Sequence, residues 1–309
     1  MSSGLSVVIP SYNSARTVET TLKALLEQPE GSIAEIVVVD SSDDGRTPPL
    51  LWSYAERSPK VRLVSLEQKT YPGTARNIGV MEAHGDRLAF VDSDAYPAPD
   101  WAPRILAEFE KGRRVGGGSI NLPPFQRFRW LPIAQLFFEF NEFMDTGAAR
   151  HKEFVTSCNL FCERALFERA GGFPGIRATE DVLFGLKMNT LEKVWFDPEI
   201  KVYHIFREKI SDASRNQVML GKYIGIYRRL DPKAPFYVKR PWAALFLPGF
   251  LVIKFIKITL RIFRNRPSMI ARYVAVFPAF LFSLLCWTVG FAQGVFTDER
   301  KEESLHAQP

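Results

Sequence analysis

Short apolar segments alternate with segments of helical periodicity through the first ninety residues. Four of the apolar segments are rich in Val, Ile and Leu and are predicted as buried strands: residues 5–9, 35–39, 61–65 and 87–91. Two intervening segments, 14–27 with Ser14 as N-cap and 73–84, are predicted as helices. Repeated strand–helix–strand order predicts an α/β fold with a mainly parallel sheet and flanking helices.

Polar residues follow three of these predicted strands. They are Pro10-Ser-Tyr-Asn13, Asp40-Ser-Ser-Asp-Asp-Gly45 and Asp92-Ser-Asp94. Ligands bind beyond the carboxyl ends of parallel strands, so five aspartates are expected at one edge of the sheet. So many carboxylates repel one another unless a cation lies among them. Asp92 and Asp94 suit Mg²⁺ or Mn²⁺ completed by diphosphate oxygens, although a solvated turn is the alternative for this pair alone.

The C-terminal part differs in charge and hydropathy. Residues 201–296 contain 16 Lys and Arg against 3 Asp and Glu, whereas residues 1–200 contain 22 against 27. The 24 residues 273–296 are uncharged. At 1.5 Å per residue they extend about 36 Å as a helix, enough for a hydrocarbon core. This apolar content favours an anionic membrane as partner and argues against nucleic acid.

Residues 242–264 allow two interpretations. Lys254, Lys257, Arg261 and Arg264 share one helix face, which indicates a helix lying in the lipid headgroup plane. A transmembrane pass is the alternative, but it would place basic residues in an outside loop. We expect one surface helix and, over 273–296, one span or deep anchor, with a buried core helix as the alternative there. Residues 1–6 lack the basic region of a signal peptide, so the catalytic domain is expected on the cytoplasmic side.

Several segments resemble the successive motifs of the family 2 glycosyltransferases. They are LSVVIPSYN at 5–13, VVVDSSDDG at 37–45, ARNIG at 75–79, FVDSDAYP at 90–97, NLFCERALFERAGGF at 159–173, TED at 179–181 and VYH at 202–204. The resemblance covers about residues 5–205. It implies the GT-A fold, Rossmann-like in its sheet, and inverting, metal-dependent transfer of a hexose from a nucleotide sugar in cell envelope glycan biosynthesis.

The resemblance also implies roles for individual residues. Asp181 becomes the catalytic base, Asp94 and His204 hold the divalent metal, and Glu180 and Gly172 belong to the acceptor motif and its loop. The donor nucleotide is expected to contact Pro10, Tyr12, Asp40, Arg76 and Asp92. Alternatives remain open for three of these residues: a surface ion pair for Arg76, a helix N-terminal acid for Asp181 and a structural role for His204.

Two departures from the family pattern limit these assignments. Many members have paired acids where this chain has Asp40-Ser41, so the base-binding role is assigned to Asp40 and left open for Asp43. The Q-x-x-R-W motif of processive members is absent, which favours transfer of a single sugar. A UDP-sugar is expected ahead of a GDP-sugar, with a lipid-linked or glycan acceptor at the membrane.

Four further features of the sequence bear on other chemistry or on the loops and helices around the site. Cys158 and Cys162 have no Cys or His partners nearby in sequence, which argues against zinc, and Gly116-Gly-Gly118 does not complete a dinucleotide-binding motif. Residues 171–175 are expected to form a mobile glycine-rich loop over the sugar. Residues 130–144 are strongly aromatic and indicate either a core helix or an apolar floor for a lipid acceptor or membrane.

The predicted organisation is a catalytic domain at 1–235, membrane-associated helices at 236–298 and a polar tail at 299–309. Two rival functions remain. A sugar nucleotidyltransferase would need a glycine-rich phosphate loop after the first strand, where this chain has Ser11-Tyr-Asn-Ser14. A non-catalytic membrane scaffold of the same fold is the other, and the set of strand-end acids argues against it.

Overall fold

The computed structural model describes residues 4–230 and 247–297. The chain divides into two compact units. Unit 1 comprises Met1–Phe125 with Glu142–Phe206, and unit 2 comprises Gln126–Asn141 with Arg207–Pro309. The predicted boundaries after 235 and 298 lie outside the described residues, but residues 126–141 and 207–230 group with the C-terminal helices.

A nine-stranded mixed sheet forms the centre of unit 1 within the described residues. The strands are β1 Leu5–Ser11, β2 Ile33–Asp40, β3 Val61–Ser65, β4 Arg87–Phe90, β5 Ala95–Pro97, β6 Val115–Asn121, β7 Arg150–Lys152, β8 Leu160–Glu163 and β9 Val194–His204. Their order in the sheet is β3-β2-β1-β4-β8-β6-β9-β5, with β7 paired to β9. Strands β1 to β4 are mutually parallel, whereas β8 is antiparallel to both β4 and β6.

The helices of unit 1 accompany this sheet and confirm the predicted fold class. They are α1 Val18–Leu26, α2 Thr47–Arg57, α3 Pro72–Glu82, α4 Trp101–Glu110, α6 Arg164–Ala170 and α7 Glu180–Leu191. The predicted N-cap at Ser14 is wrong, because α1 begins at Val18 after the cap residue Thr17. The Ser14 hydroxyl instead lies 2.7 Å from the Ser11 hydroxyl, so Ser14 shapes the turn after β1.

Two glycine motifs of the sequence have packing explanations. A Cβ added at Gly79 of α3 would lie 2.3 Å from Val8 Cγ1, so only glycine lets this helix approach β1 so closely. A Cβ at Gly117 or Gly118 would lie 2.2 Å from Asn159 O or 1.8 Å from Ile200 O. The glycine triplet of β6 therefore permits close backbone approach inside the sheet.

Unit 2 is helical in its described residues. Its helices are α5 Trp130–Glu139, α8 Ile210–Leu230, α9 Leu247–Asn265, α10 Ile270–Ala275 and α11 Phe277–Phe296. The predicted aromatic segment 130–144 is divided: Leu131–Phe138 of α5 are buried within unit 2, whereas Phe143 and Met144 are buried in unit 1. In α5, Phe138 packs edge-on against Phe280 of α11. The core interpretation of α5 is thereby confirmed.

One described helix, Phe277–Phe296, is long and apolar enough to cross a membrane, and half of its apolar window is buried against the protein. Of the four cations predicted to face headgroups, Lys257 and Arg264 are exposed. The other two bind inside unit 2. Lys254 Nζ lies 4.0 Å from the centre of the Trp287 ring, and Arg261 donates to the Asn141 side chain.

Candidate active site

The ends of β1 and β2 meet at the edge of unit 1, because Ser11 and Asp40 are paired in register. This places Asn13 beside Asp43: Asn13 Nδ2 donates to Asp43 Oδ1 at 2.7 Å, and Tyr12 Oη donates to Asp43 Oδ2 at 3.1 Å. These hydrogen bonds hold the pKa of the Asp43 carboxyl below its usual value. Asp43, whose role the sequence left open, therefore belongs to the same cluster as Tyr12.

The predicted nucleobase contacts differ in accessibility. Asp40 is buried and accepts a hydrogen bond from Ser42 Oγ at 2.6 Å, while Pro10 is buried within β1. Tyr12 is partly exposed, and Lys69 Nζ lies 4.1 Å from the centre of its ring. Asn13 takes a left-handed backbone conformation, with φ of 53°. The sequence assigned no role to Lys69, and none to Asn13 beyond its place in the predicted strand-end segment 10–13.

A second cluster forms where β5 pairs with β9. Ala95 is the register partner of His204, and His204 Nε2 lies 3.5 Å from Asp94 Oδ1. The backbone oxygen of Asp94 also accepts from Ile205 N at 2.7 Å. The structure thus brings together the two residues that the resemblance assigns to the metal, although they are far apart in sequence.

These two side chains fit a divalent ion that takes its remaining ligands from a donor. In residues 4–230 and 247–297 there is no group of three or more His, Cys, Asp or Glu side chains placed to hold a metal by themselves. Mg²⁺ and Mn²⁺ sites often use one or two protein ligands with substrate phosphates. One carboxylate oxygen and one imidazole nitrogen match that incomplete protein shell.

Arg76 links two motifs inside unit 1. Its side chain is 2% exposed; Nη2 donates to Asp92 Oδ1 at 2.5 Å and Nη1 donates to Glu180 Oε1 at 2.8 Å. Burial lowers the pKa of the guanidinium, but the two carboxylates outweigh burial and raise that pKa. The guanidinium also lies over the Phe173 ring, 5.3 Å from its centre. Arg76 is therefore a buried connection between the turn after β4 and the start of α7.

The start of α7 is conformationally unusual. Thr179, the N-cap residue, has φ of 69°, which is strained for a β-branched side chain. Its buried Oγ1 has no hydrogen-bond partner among the described residues. Glu180 is buried, and its pKa is raised to about 7: burial raises it most, the Arg76 charge lowers it, and the Asp181 charge raises it. Strained backbone conformations cluster at functional sites.

Asp181 lies at the same helix start. The residue as a whole is partly buried. Burial of its carboxyl raises the pKa of Asp181 most, the Arg76 charge lowers that pKa, and the Asp92 charge raises it. Asp181 Oδ1 accepts from Val182 N at 2.8 Å. The buried Cys158 thiol has a raised pKa, caused first by burial and also by the charges of Asp92, Asp181 and Asp94. Three of the predicted site acids therefore lie near enough to Cys158 in unit 1 for their charges to affect its pKa.

The loop over residues 171–175 is tied to α3. Asn77 Nδ2 donates to Phe173 O at 2.8 Å, and Phe173 N donates to Asn77 Oδ1 at 2.9 Å. Gly172 has φ of 71°, and a Cβ there would lie 2.6 Å from Asn77 Oδ1. The sequence did not predict the role of Asn77, although its place beside Arg76 in ARNIG was the available signal. If the loop moves as predicted, either Phe173 stays bound to Asn77 or both hydrogen bonds between these residues break.

Replacing Arg76 by Met is expected to lower the free energy of unfolding by about 3–5 kcal/mol, because two carboxylates lose a buried cation. Urea denaturation at pH 8 would measure the loss. The matched control is Arg104→Met, whose guanidinium forms a surface ion pair with Asp100 and should change stability by less than about 1 kcal/mol. Equal stability of the two variants would contradict a central role for Arg76.

Glu180 should make folding less favourable as the pH rises. Its folded-state pKa of about 7 exceeds the ordinary 4.5, so between these values the folded chain binds more protons than the unfolded chain. The stability of wild type relative to Glu180→Gln should therefore decrease from pH 4.5 to 7 and then level off. Thermal unfolding of both proteins across pH 4.5–8 measures this difference, and parallel curves would oppose it.

The architecture is shared with solved glycosyltransferases of the GT-A fold. The mannosyltransferase PcManGT from Pyrobaculum calidifontis, in complex with GDP-Man and Mn²⁺, is 20% identical, with a TM-score of 0.62 over 96% of this chain and 88% of that one. S. aureus TarS 1–349 in complex with UDP-GlcNAc is 18% identical, with a TM-score of 0.54 over 99% and 92%. At these identities the similarity establishes the fold alone.

The family follows from the sequence comparison. The family model described as Glycosyl transferase family 2 matches residues 6–170, more than half of the chain, and the chain belongs to this family. The succinoglycan biosynthesis protein ExoO of Rhizobium meliloti is 37% identical over 33% of this chain and 28% of its own length. Glycosyltransferase AglE of Haloferax volcanii is 24% identical over 55% and 56%. The matches thus span less than two thirds of either relative.

Proposed function

We propose that this family 2 glycosyltransferase is inverting and metal-dependent. It moves one hexose from a nucleoside diphosphate sugar to a hydroxyl of a lipid-linked or glycan acceptor at a membrane. The observation that carries the proposal is the Asp94–His204 pair in the same unit as the Arg76 network, which joins Asp92 to the helix start bearing Asp181. Asp94 and His204 would be the two protein ligands of the metal, and Asp181 would be the base.

The donor nucleoside is assigned to the cluster around the ends of β1 and β2. Tyr12 offers an aromatic surface, and Asp40 offers a carboxylate to a base N–H, with Asp43 holding Tyr12 and Asn13 in place. Solved neighbours hold GDP-Man in one case and UDP-GlcNAc in another. These neighbours support a nucleotide-sugar donor without selecting the base, and a UDP-sugar remains our proposal ahead of a GDP-sugar.

Asp94 and His204 would hold the divalent ion together with the donor diphosphate. When bound, Mg²⁺ or Mn²⁺ neutralises charge that develops on the departing diphosphate. Two solved neighbours contain Mn²⁺ with a nucleotide or nucleotide sugar. Asp92 is turned toward Arg76 through Oδ1, so this oxygen is occupied by the guanidinium, and Asp94 is the better candidate ligand.

Asp181 would remove the acceptor proton. As the acceptor oxygen bonds to the anomeric carbon, its proton passes to the Asp181 carboxylate. The bond from that carbon to the diphosphate oxygen breaks, and its electron pair leaves with the diphosphate. A single displacement of this kind inverts the anomeric centre. A carboxylate with a raised pKa is a stronger base than an ordinary aspartate, which suits this task.

The acceptor assignment rests on broader observations. ExoO is named for succinoglycan biosynthesis, and the described part of unit 2 contains one helix that could cross a membrane. These observations support an acceptor presented at a membrane. A lipid-linked acceptor, and a catalytic unit on the cytoplasmic side, complete the proposal.

A donor panel tests the reaction. Purified full-length chain is incubated with UDP-glucose, UDP-galactose, UDP-GlcNAc and GDP-mannose, with Mn²⁺ or with excess chelator. Release of nucleoside diphosphate from one donor only when Mn²⁺ is present is the expected result, and NMR of the released or transferred sugar should show the inverted anomer. Formation of a nucleoside triphosphate and a sugar 1-phosphate when pyrophosphate is added would indicate a nucleotidyltransferase. Nucleotide binding without turnover of any donor, with acceptor extracts included, would favour a scaffold.

A further inference from the structure

The outward side of α9 in unit 2 is apolar. Its most exposed large apolar side chains recur at helical spacing, and their exposed fractions lie between 44% and 63%. They are Val252, Ile253, Ile256, Leu260 and Phe263. The buried side of the helix contains Ile258 and Ile262. A surface helix of a protein in water has polar residues opposite its buried side. The apolar outward side of α9 therefore indicates that this side contacts an apolar environment.

Helix α11 repeats this arrangement along its whole length. Phe282, Leu285, Val289 and Phe296 are 41–59% exposed and share one face, while the opposite face is buried within unit 2. The helix has no charged residue. Unit 2 therefore exposes an apolar stripe on each of two helices, which is more than scattered single apolar residues.

Cations border the α9 stripe. Lys257 and Arg264 are both exposed, and their spacing of seven residues places them on the same side of the helix, at one edge of the apolar residues. Arg272, in α10, is exposed as well. No acidic residue occurs in α9, α10 or α11. An apolar surface bordered by positive charge complements an anionic phospholipid leaflet better than it complements a protein of mixed charge.

The packing of α11 against α8 argues against a transmembrane position. A Cβ added at Gly221 of α8 would lie 2.0 Å from Trp287 O, and one at Gly294 of α11 would lie 2.0 Å from Lys222 O. The two backbones are therefore in direct contact along the second half of α11. Helix α8 carries the charged side chains Asp212, Arg215 and Lys222. If α11 were surrounded by hydrocarbon, transfer of these charges into the same region would cost free energy.

Another polar contact lies in the same bundle. Asn216 Nδ2 of α8 donates to Glu139 Oε1 of α5 at 3.3 Å, and Gln217 Nε2 donates to the same oxygen. Helices α5 and α8 both contact α11. If α11 crossed a bilayer with its partners, this carboxylate and two amides would enter the hydrocarbon region.

We propose that α9 and α11 lie in the plane of one anionic leaflet, with their exposed apolar faces among the upper acyl chains, and that α11 does not cross the membrane. This inference rests on the proposed action at a membrane and specifies its mode. Helices of this kind are buried roughly 5–10 Å into the boundary between headgroups and acyl chains. The α8 side of the bundle then remains in water.

Vesicle binding tests the surface. The full chain is sedimented with two kinds of vesicle. One consists of phosphatidylcholine alone, and the other contains about 30 mol% phosphatidylglycerol, which makes its surface anionic. Ile256→Asp with Leu260→Asp should lower partitioning by at least ~10²-fold, since each side chain contributes about tenfold or more on burial. Met81→Asp, at a 74% exposed apolar residue of α3 in unit 1, is the matched control and should bind as wild type. Lys257→Gln with Arg264→Gln should reduce only the preference for phosphatidylglycerol.

Depth measurement tests the orientation of α11. Spin labels are placed singly at Phe282→Cys, Leu285→Cys, Val289→Cys and Phe296→Cys in a Cys286→Ser background; Cys158 and Cys162 are buried. An in-plane helix gives similar shallow depths at all four positions. A spanning helix gives a maximum near the bilayer centre, about 15 Å below the headgroups. Arg215→Cys on α8 is the control and should remain accessible to a water-soluble relaxation agent.

The outcomes separate this inference from the proposed function. Shallow labels with the expected variant effects support it. A deep centre for α11 overturns it while leaving membrane association intact. Failure to bind vesicles, together with a concentration-dependent dimer in light scattering, overturns it in favour of a second copy covering the surface. Donor hydrolysis is measured on the same preparations: turnover without vesicle binding preserves the proposed reaction, and binding without turnover preserves only the docking surface.

Discussion

Asp181→Asn is expected to lower the turnover number by at least ~10²-fold while donor affinity stays nearly unchanged. The amide has almost the shape of the carboxylate and its oxygen can still accept from Val182 N, so α7 should begin at the same place. What it cannot do is take the acceptor proton. The negative charge near Arg76 falls by one, but the direct partners of that guanidinium, Asp92 and Glu180, remain.

Steady-state kinetics with varied donor, together with calorimetric titration of nucleotide, separates turnover from binding. Asp100→Asn is the matched control, because this acid forms an exposed ion pair with Arg104. A raised pKa in Asp181 also predicts that wild-type turnover falls as the pH drops through that pKa, and that the Asn variant loses this dependence. A variant with normal turnover and collapsed donor affinity would make Asp181 a binding residue.

Asp94→Ala is expected to remove the enhancement of nucleotide diphosphate binding by Mn²⁺ and to abolish transfer. The carboxylate is one of only two protein ligands in the proposed site, and His204 alone offers a neutral nitrogen. The fold should survive, because the Asp94 side chain is 33% exposed and its structural hydrogen bond to Ile205 N uses the backbone oxygen. This variant therefore tests chemistry without testing folding.

Titration of UDP and GDP, each with Mn²⁺ and with chelator, measures the enhancement directly. Asp86→Ala, at an exposed acid before β4, is the control and should retain it. His204→Gln should retain a smaller part, since Asp94 remains. If Mn²⁺ still strengthens nucleotide binding in Asp94→Ala, the metal is held elsewhere and the assignment of Asp94 is wrong.

The predicted strands of unit 1 lie close to the observed ones because each is a short apolar run that local composition identifies. Strand β3 is observed as predicted, at Val61–Ser65. Helix α2 was not predicted: it begins Thr47-Pro-Pro, and prolines usually indicate a loop. Proline is nevertheless tolerated in the first turn of a helix, where its missing N–H has no intrahelical partner to lose.

The chemistry of the strand ends was also local information. Tyr12, Asp40, Asp92 and Asp94 are identifiable from the sequence because parallel strands bring their carboxyl ends to one edge of the sheet. The partners of these residues were not predictable in this way. The burial of Arg76 between Asp92 and Glu180, and the bonds between Asn77 and Phe173, join segments that are far apart in sequence. Long-range packing selects them.

The sequence by itself determined the strand–helix alternation, the acids at the strand ends and the apolar, basic composition of the C-terminal helices, because these depend on neighbours along the chain. Only the tertiary structure decided that β5 pairs with β9 and brings His204 to Asp94. It also decided which side of α9 faces outward: Lys254 and Arg261 turn into unit 2, while Ile256 and Leu260 remain exposed. Helical periodicity defines faces, but the choice of the buried face depends on what the other helices offer for packing.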